Sequence, residues 1–334
     1  MTGRERVRAA VRFAGPDRIP IRHPGWPSDL ERARLFRDLY QRYPSDFADV
    51  VWPPAPEAER SAAKPPQDVD AWGCRWERLP PNARRVIGYP LASWDRLSDY
   101  QFPQHPSPAG VAKAAELTRD RHGETCILAN PISFFQQMQD LRGFENFMLD
   151  LVQRPPQLLE LRDRMVAHHI GGIDLWADHG LIDCVQILDD WGIQTGLVAH
   201  PRVWFELFKS AYVQLFEAIH RIGAYVLFHT CGRTIEIIPD LIAAGVDILM
   251  VQFSAHTFEE LSAACQGKVC ILTDPDRQRL LPFGEPEEIR AYLKQAVRSL
   301  GTQDGGIIGY GEIADPDVPL ANAEALLEAF GQLG

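Results

Sequence analysis

The chain has 334 residues, enough for one large domain with a sizeable core, and an ordinary globular composition. Its formal net charge of −11 argues against nucleic-acid binding, because such a surface needs excess lysine and arginine to neutralise phosphates. No apolar run is long enough to cross a membrane, and six scattered cysteines without a CxxC pair indicate a reduced, cytoplasmic protein.

The first third of the chain has an irregular pattern. A short helix is predicted over residues 1–14, a first strand over 18–24, a helix over 28–40 and a second strand over 47–51. Residues 53–110 are rich in proline, tryptophan and charge. They predict a lid or hairpin insertion rather than a part of the regular repeat.

From residue 125 onward, apolar strands alternate with amphipathic helices. Strands are predicted at 125–129, 184–188, 225–228, 247–251, 269–272 and 306–308, and helices at 134–139, 144–153, 156–179, 201–222, 235–244, 258–264, 286–300 and 321–330. Strands without polar alternation, each followed by a helix, predict a parallel sheet that is buried on both faces. Because the repeat continues to residue 330 and no GxGxxG follows an early strand, we predict a closed (β/α)8 TIM-type barrel in a single domain over 1–334.

Polar side chains at the predicted strand ends are the candidates for function, because active sites of such barrels lie at the carboxyl ends of the strands. These residues are Arg22, His23, Asn130, Asp189, Asp190, His229, Cys231, Gln252, Asp274, Asp276, Tyr310 and Glu312. An aspartate after a strand often caps the next helix. That is the favoured interpretation for Asp276 and for at least one of Asp189 and Asp190.

The strand over 225–228 is followed by His229 and Cys231, which stand two residues apart before a glycine. Residues i and i+2 of a strand point to the same face, so the two side chains can converge on one point. Imidazole and thiolate are ligands that suit zinc. From spacing alone, an inert buried thiol beside a hydrogen-bonded core histidine is slightly favoured over a metal site.

Two further groups of residues have open interpretations. His168 and His169 are adjacent on a helix and point in different directions, so packing is favoured over a shared metal ion. Trp26, Trp52, Trp72 and Trp76 occur in the irregular N-terminal part. They predict either an apolar pocket under the lid or a small satellite core, with about equal weight.

Several segments at and around the strand ends carry a resemblance to a known family. They are LDDWGIQ at 188–194, FHTCG at 228–232 and IIPDLIAAGVD at 237–247, with further matches at 17–20, 281–289 and 317–322. They resemble the uroporphyrinogen decarboxylase superfamily over nearly the whole chain. The resemblance implies a (β/α) barrel. It also implies either cofactor-free decarboxylation or methyl transfer with zinc held by a His-x-Cys pair and a later cysteine.

The chain departs from both patterns. Where the decarboxylase has two arginines after its first strand, only Arg22 is present, and Tyr310 stands where the decarboxylase has a histidine. Uroporphyrinogen, with its eight carboxylates, is therefore not the expected substrate. The methyltransferase pattern fits at His229 and Cys231, but Glu312 stands in place of the later cysteine. Carboxylate oxygen also binds zinc, so the resemblance implies Glu312 as the third ligand.

Two other carboxylates, Asp190 and Asp274, are further candidates for that third position. The leading hypothesis is a zinc-dependent methyltransferase or demethylase that moves a methyl group between a small substrate and a corrinoid or thiol. A corrinoid protein would be the partner, and a homodimer is expected from the resemblance. The residues assigned to substrate orientation or proton transfer are Arg22, Asp189, Asp190 and Tyr310.

Two alternatives remain open at this stage. The first is a cofactor-free decarboxylase or lyase, in which Arg22 and His23 grip a substrate carboxylate and an aspartate stabilises a protonated intermediate. The second is a binding barrel without catalysis, which the missing third cysteine keeps in consideration. Metal content and turnover of a carboxylated substrate discriminate among these functions.

Overall fold

A parallel sheet forms the centre of the protein. The computed structural model describes residues 1–27, 29–52, 67–79 and 83–333. Seven strands in these residues pair in parallel, each with the next along the chain. The strands are β1 (Phe47–Asp49), β2 (Cys126–Ile132), β3 (Cys184–Leu188), β4 (Tyr225–Thr230), β5 (Ile248–Val251), β6 (Cys270–Leu272) and β7 (Ile307–Ile308). Strands β3 to β7 are almost entirely buried, as their apolar sequences predict, whereas β1 and β2 each contain an exposed residue.

An extended segment around Ile21 closes this sheet. Ile21 forms a parallel bridge to Gly309, just beyond β7. On the other side, the carbonyl of Ile21 accepts the N–H of Asp46, just before β1, over 2.7 Å. The two edges of the sheet thus meet at Ile21, which confirms the predicted barrel. The strand predicted over 18–24 shortens to one bridged residue because the prolines that flank it have no N–H to donate.

Helices cover the outside of the barrel. They are α1 (Gly3–Val11), α2 (Leu30–Arg42), α3 (Pro108–His122), α4 (Phe135–Arg142), α5 (Phe144–Gln153), α6 (Pro156–Asp174), α7 (Lys209–Arg221), α8 (Ile238–Ala244), α9 (Phe258–Cys265), α10 (Leu280–Phe283), α11 (Pro286–Leu300) and α12 (Leu320–Gln332). A short helix, Pro201–Val203, and a π-helical turn, Trp204–Phe208, precede α7. Short 3₁₀ helices lie at Trp94–Arg96 and Phe253–Ala255.

The helix bounds differ from the prediction in several places. The helix expected over 235–244 begins at Ile238, since a proline occupies its first turn. The one expected over 156–179 ends at Asp174. Helix α3 was not predicted, because its first residues lie in the segment interpreted as an insertion; Ser107 caps it by accepting the N–H of Gly110.

The described part of the predicted insertion contains a second, antiparallel sheet. Its strands are Gln67–Val69, Arg75–Leu79 and Ala83–Gly88. Asp70 organises the turn before the middle strand, because its carboxylate accepts the N–H groups of Trp72 and Cys74 and the indole N–H of Trp76. The rest of the expected lid, 53–66 and 80–82, lies outside the described residues.

Two observations concern the cysteines and the possibility of membrane-spanning helices. All six cysteines are free thiols. The helices of the described residues include none that is long and apolar enough to cross a membrane.

A surface ion pair on α7 predicts a small pH dependence of stability. His220 Nε2 lies 2.8 Å from a carboxylate oxygen of Asp247, and this hydrogen bond raises the pKa of His220. The stabilisation is therefore complete below the ordinary histidine pKa of 6.5 and disappears as pH rises through the raised value. We expect His220→Gln to lower the free energy of unfolding by about 0.5–1 kcal/mol at acidic pH and by less at pH 9.

Urea unfolding of both proteins at several pH values measures this difference. His179→Gln is the control, because His179 has no carboxylate partner among the described residues. A loss for His220→Gln that is constant from pH 5 to pH 9 would contradict the assignment.

Candidate metal centre and its cavity

A cavity of about 930 Å³ lies at the carboxyl ends of the strands and is called the main cavity below. Its barrel side includes Arg22, Gln186, Leu188, Asp190, His229, Met250, Arg277, Tyr310 and Glu312. Its opposite side includes Asp70, Trp72, Trp76, Arg84, Arg85, Val86 and Tyr89 of the antiparallel sheet and its flanks. The insertion thus forms one wall of the cavity, and the polar strand ends form the other.

Three potential metal ligands converge at this end of the barrel. One donor atom each from Asp190, His229 and Cys231 lies within 4.8 Å of the other two. His229 Nε2 is 3.3 Å from Cys231 Sγ and 3.8 Å from Asp190 Oδ1. In tetrahedral zinc sites with bonds of about 2.0–2.3 Å, neighbouring ligand atoms are roughly 3.3–3.7 Å apart. The three donors therefore fit zinc in both chemistry and spacing.

The pairing of strands and two glycines determines this geometry. In the register of β3 and β4, Leu188 is opposite His229, so Asp190 lies at the level of Cys231. Asp190 Oδ1 accepts the N–H of Cys231 over 3.0 Å. Gly192 and Gly232 lie against each other just beyond, and Gly232 has φ +72°. A side chain at either glycine would push the Cys231 loop away from Asp190.

We expect Gly192→Ala to disrupt the site from outside it. A Cβ at Gly192 would lie 2.6 Å from the carbonyl oxygen of Cys231, which is backbone and must shift. The expected cost is about 1–3 kcal/mol of unfolding free energy, together with weaker zinc binding. Gly192–Ile193 and Gly196–Leu197 pair as a short antiparallel hairpin, and Gly196→Ala in this hairpin is the control, because no atom lies within 4 Å of its added Cβ. Equal stability of the two variants in urea would contradict this packing argument.

Burial sets the protonation of the histidine and the thiol. It lowers the pKa of His229 to about 4, so the imidazole is neutral near pH 7, as a metal ligand must be. Burial raises the pKa of Cys231 to about 12, so without a metal the thiol stays protonated. The guanidinium of Arg277 opposes this rise and donates a hydrogen bond to Cys231 Sγ over 3.1 Å.

The third-ligand candidates from the sequence do not all join this group. Glu312 lines the main cavity, but its carboxylate accepts a hydrogen bond from the hydroxyl of Tyr310, and it is not within the group of three. Asp274 is 1% exposed, and burial raises its pKa to about 7. Neither of its oxygens has a hydrogen-bond partner among the described residues. The geometry favours Asp190 over both as the third ligand.

The predicted catalytic residues Arg22 and Tyr310 both line the main cavity. Arg22 donates to Gln186 Oε1 over 3.0 Å, and its guanidinium lies 5.5 Å from the centre of the Tyr310 ring. Sequence reasoning missed Arg277, which also lines the cavity. Its position three residues after the strand-end Asp274 was the available signal.

Two other predicted residues lie elsewhere. Asp189 is fully buried and caps α4, because its carboxylate accepts the N–H groups of Phe134 and Gln136 and the hydroxyl of Tyr212. His23 stacks on Tyr40 with ring centres 3.7 Å apart, and its Nε2 hydrogen-bonds to the Tyr43 carbonyl. The main cavity is lined by neither residue. Asp276 accepts the N–H groups of Gln278 and Arg279 in the turn before α10, whose N-cap residue is Arg279 rather than Asp276.

The tryptophans divide between cavity and surface. Trp72 and Trp76 line the main cavity, as the pocket interpretation predicts. Trp52 lines a neighbouring cavity with Trp72, and Trp26 is 61% exposed.

Comparisons with known proteins agree with this fold. A family model described as uroporphyrinogen decarboxylase (URO-D) matches residues 70–333. Among solved structures, a methyltransferase from Methanosarcina mazei has a TM-score of 0.72, covering 99% of each chain at 18% identity, which shows the fold. No curated protein matches the sequence significantly. Since the family model spans most of the chain, the protein belongs to the uroporphyrinogen decarboxylase (URO-D) family.

Proposed function

We propose that this protein is a zinc-dependent methyltransferase that moves a methyl group between a small substrate and a corrinoid or a thiol. The observation that carries the proposal is the convergence of Asp190, His229 and Cys231 at the carboxyl end of the barrel. Membership of the URO-D family and a shared fold with a methyltransferase support it. The corrinoid would come from a partner protein.

The three ligand candidates are suited to a catalytic metal site, since such sites use three protein ligands and leave a position open. When bound, zinc supplies Lewis acidity that lowers the pKa of a coordinated thiol or polarises the heteroatom bearing the methyl group. Arg277 stabilises negative charge on Cys231 Sγ through its hydrogen bond. Asp190 holds the Cys231 backbone in place by accepting its N–H, and the Asp190 side chain is 48% exposed.

Groups around the ligands can orient a substrate and hold a proton. Arg22 is held between Gln186 and the Tyr310 ring, so it presents its guanidinium at a defined place on the wall. Together with Arg277 it can bind an anionic part of a substrate. The hydroxyl of Tyr310 donates to Glu312, so a proton is available at this oxygen beside the cavity.

Transfer of the methyl group of free methylcobalamin to small thiols tests the proposal. The protein is stripped with a chelator, reloaded with one equivalent of zinc and mixed with methylcobalamin and 2-mercaptoethanol. Loss of the cobalt–carbon absorbance then reports demethylation. Transfer in the opposite direction, to the corrinoid, is tested with cob(I)alamin and methyl ethers or methylamines as methyl donors. We expect turnover that requires zinc; equal rates with and without zinc in every pair would refute the proposal.

A second candidate function is the metal-independent decarboxylation of a carboxylated substrate. The observation in its favour is that the guanidinium groups of Arg22 and Arg277 both line the main cavity. Asp274, whose raised pKa of about 7 permits it to carry a proton, lies near Arg277. Release of CO₂ from small carboxylic acids by zinc-free protein, retained in Cys231→Ser, would support this function over methyl transfer.

A further inference from the structure

A second cavity, of about 450 Å³, lies beside the main cavity. Strand β2, helix α6 and the loop that precedes α3 contribute to its walls. Trp72, Ser133 and Gln137 line both cavities and therefore form the shared wall. The proposed ligands Asp190, His229 and Cys231 are not among the residues that line it. We call it the aromatic cavity, defined by Trp52, Trp72, His168, His169 and Trp176.

Tryptophan and histidine rings form part of the walls of the aromatic cavity, beside aliphatic side chains. The rings of Trp52 and Trp176 meet edge to face with centres 5.6 Å apart. His168 stacks on His105 at 4.2 Å and meets Trp72 edge to face at 5.3 Å. Such pairs present both ring faces and ring edges, which are the surfaces that an aromatic ligand packs against. A volume of this size accommodates a compound with one or two rings.

The charge of the walls restricts the ligand further. No lysine, arginine, aspartate or glutamate is present among the described residues that line the aromatic cavity. A charged ligand would lose its hydration on entering the cavity and would find no ion partner there, which is costly in an apolar site. The cavity therefore favours a neutral molecule, in contrast to the main cavity with its arginines and carboxylates.

Two buried polar atoms of the lining residues have no hydrogen-bond partner in the described part of the chain. Among the described residues, nothing hydrogen-bonds to Trp52 Nε1 or to His169 Nε2. Most buried polar groups in proteins are paired, so such exceptions require an explanation. The Trp52 atom can only donate. Burial lowers the pKa of His169 to about 3, so the ring is neutral, and Nε2 is an acceptor in the tautomer that carries its proton on Nδ1.

We propose that the aromatic cavity binds a neutral hydroxylated aromatic compound, a phenol, whose hydroxyl group accepts the indole N–H of Trp52. A hydroxyl group suits these walls, since it accepts from an indole N–H and can also donate to an imidazole nitrogen. The ring packs against the tryptophan and histidine side chains. The site needs no metal, and it is independent of the methyltransferase proposal because it shares none of its ligands.

Calorimetric titration of the full chain with phenol tests the proposal. We expect saturable binding of one phenol, with toluene binding more weakly and benzoate, which is charged, not at all. Trp52→Phe keeps an aromatic ring and removes the N–H. It should weaken phenol binding about 3- to 10-fold, the effect of one hydrogen bond, and leave toluene binding unchanged.

Controls separate the two cavities. Trp76→Phe alters a residue that lines the main cavity alone, so phenol binding should not change. Zinc-free protein and Cys231→Ser should bind phenol like the zinc-loaded protein, whatever becomes of methyl transfer. The proposal is overturned if no saturable phenol binding occurs, if benzoate binds as tightly as phenol, or if Trp76→Phe weakens phenol as much as Trp52→Phe does.

Discussion

Cys231→Ser is expected to remove stoichiometric zinc and, with it, methyl transfer, while the barrel stays folded. Serine is a poor zinc ligand at neutral pH, and the structure offers His229 and Asp190 as the remaining donors. Loss of an outer-shell partner alone costs about 10- to 100-fold in metal affinity, so loss of a direct ligand should cost at least about 100-fold. Elemental analysis and competition with a chromophoric chelator measure this change.

Asp190→Asn and Glu312→Gln decide whether Asp190 or Glu312 is the third ligand. The structure places Asp190 in the group of three and leaves Glu312 paired with Tyr310, so zinc affinity should fall in Asp190→Asn and persist in Glu312→Gln. Circular dichroism checks that the variants remain folded. Zinc retained in Cys231→Ser, or lost in Glu312→Gln but retained in Asp190→Asn, would show that the site differs from the one described.

Asp46→Ala is expected to cause the largest loss of stability, because Asp46 joins the closing segment to the rest of the barrel. Its side chain is 3% exposed and accepts the N–H of Ile21 over 2.7 Å. It also contacts Arg6 at 2.5 Å and Arg18 at 2.8 Å. Removing the carboxylate leaves the two guanidinium groups without this ion-pair partner in a partly buried environment. The expected cost is about 3–5 kcal/mol of unfolding free energy.

Asp17→Ala is the matched control for this change. Asp17 contacts the same Arg6, but its side chain is 41% exposed, so its loss should cost at most about 1 kcal/mol. Urea unfolding monitored by tryptophan fluorescence compares the variants. If both variants lose the same stability, the closing segment does not depend on Asp46 as we describe.

The barrel repeat was predictable because each strand is buried on both faces and therefore appears as an apolar run. This signal located β2 to β7 from the sequence within a few residues. It failed at the segment over 18–24, where prolines leave Ile21 as a single bridged residue. That residue is recognisable only by its partners Gly309 and Asp46. It also missed α3, because composition rather than periodicity guided the interpretation of the insertion.

The candidate ligands illustrate the same division. The i, i+2 rule of a strand is local, so the sequence predicted that His229 and Cys231 converge, and the family resemblance favoured them as ligands. The third partner was not predicted correctly from the same patterns, since the sequence offered Glu312 first and Asp190 and Asp274 as further carboxylates. The register between β3 and β4 brings Asp190 to Cys231, and this choice depends on residues about forty positions apart.

The sequence by itself determined the alternation of strands and helices, the family, and the pair His229 and Cys231. Each of these follows from short-range patterns of apolar and polar residues. The tertiary structure alone decided that Asp189 caps a helix, that Arg277 joins the cavity and that Trp52 and His169 share a second one. Burial, hydrogen-bond partners and cavity walls depend on chain segments that meet only when the barrel closes.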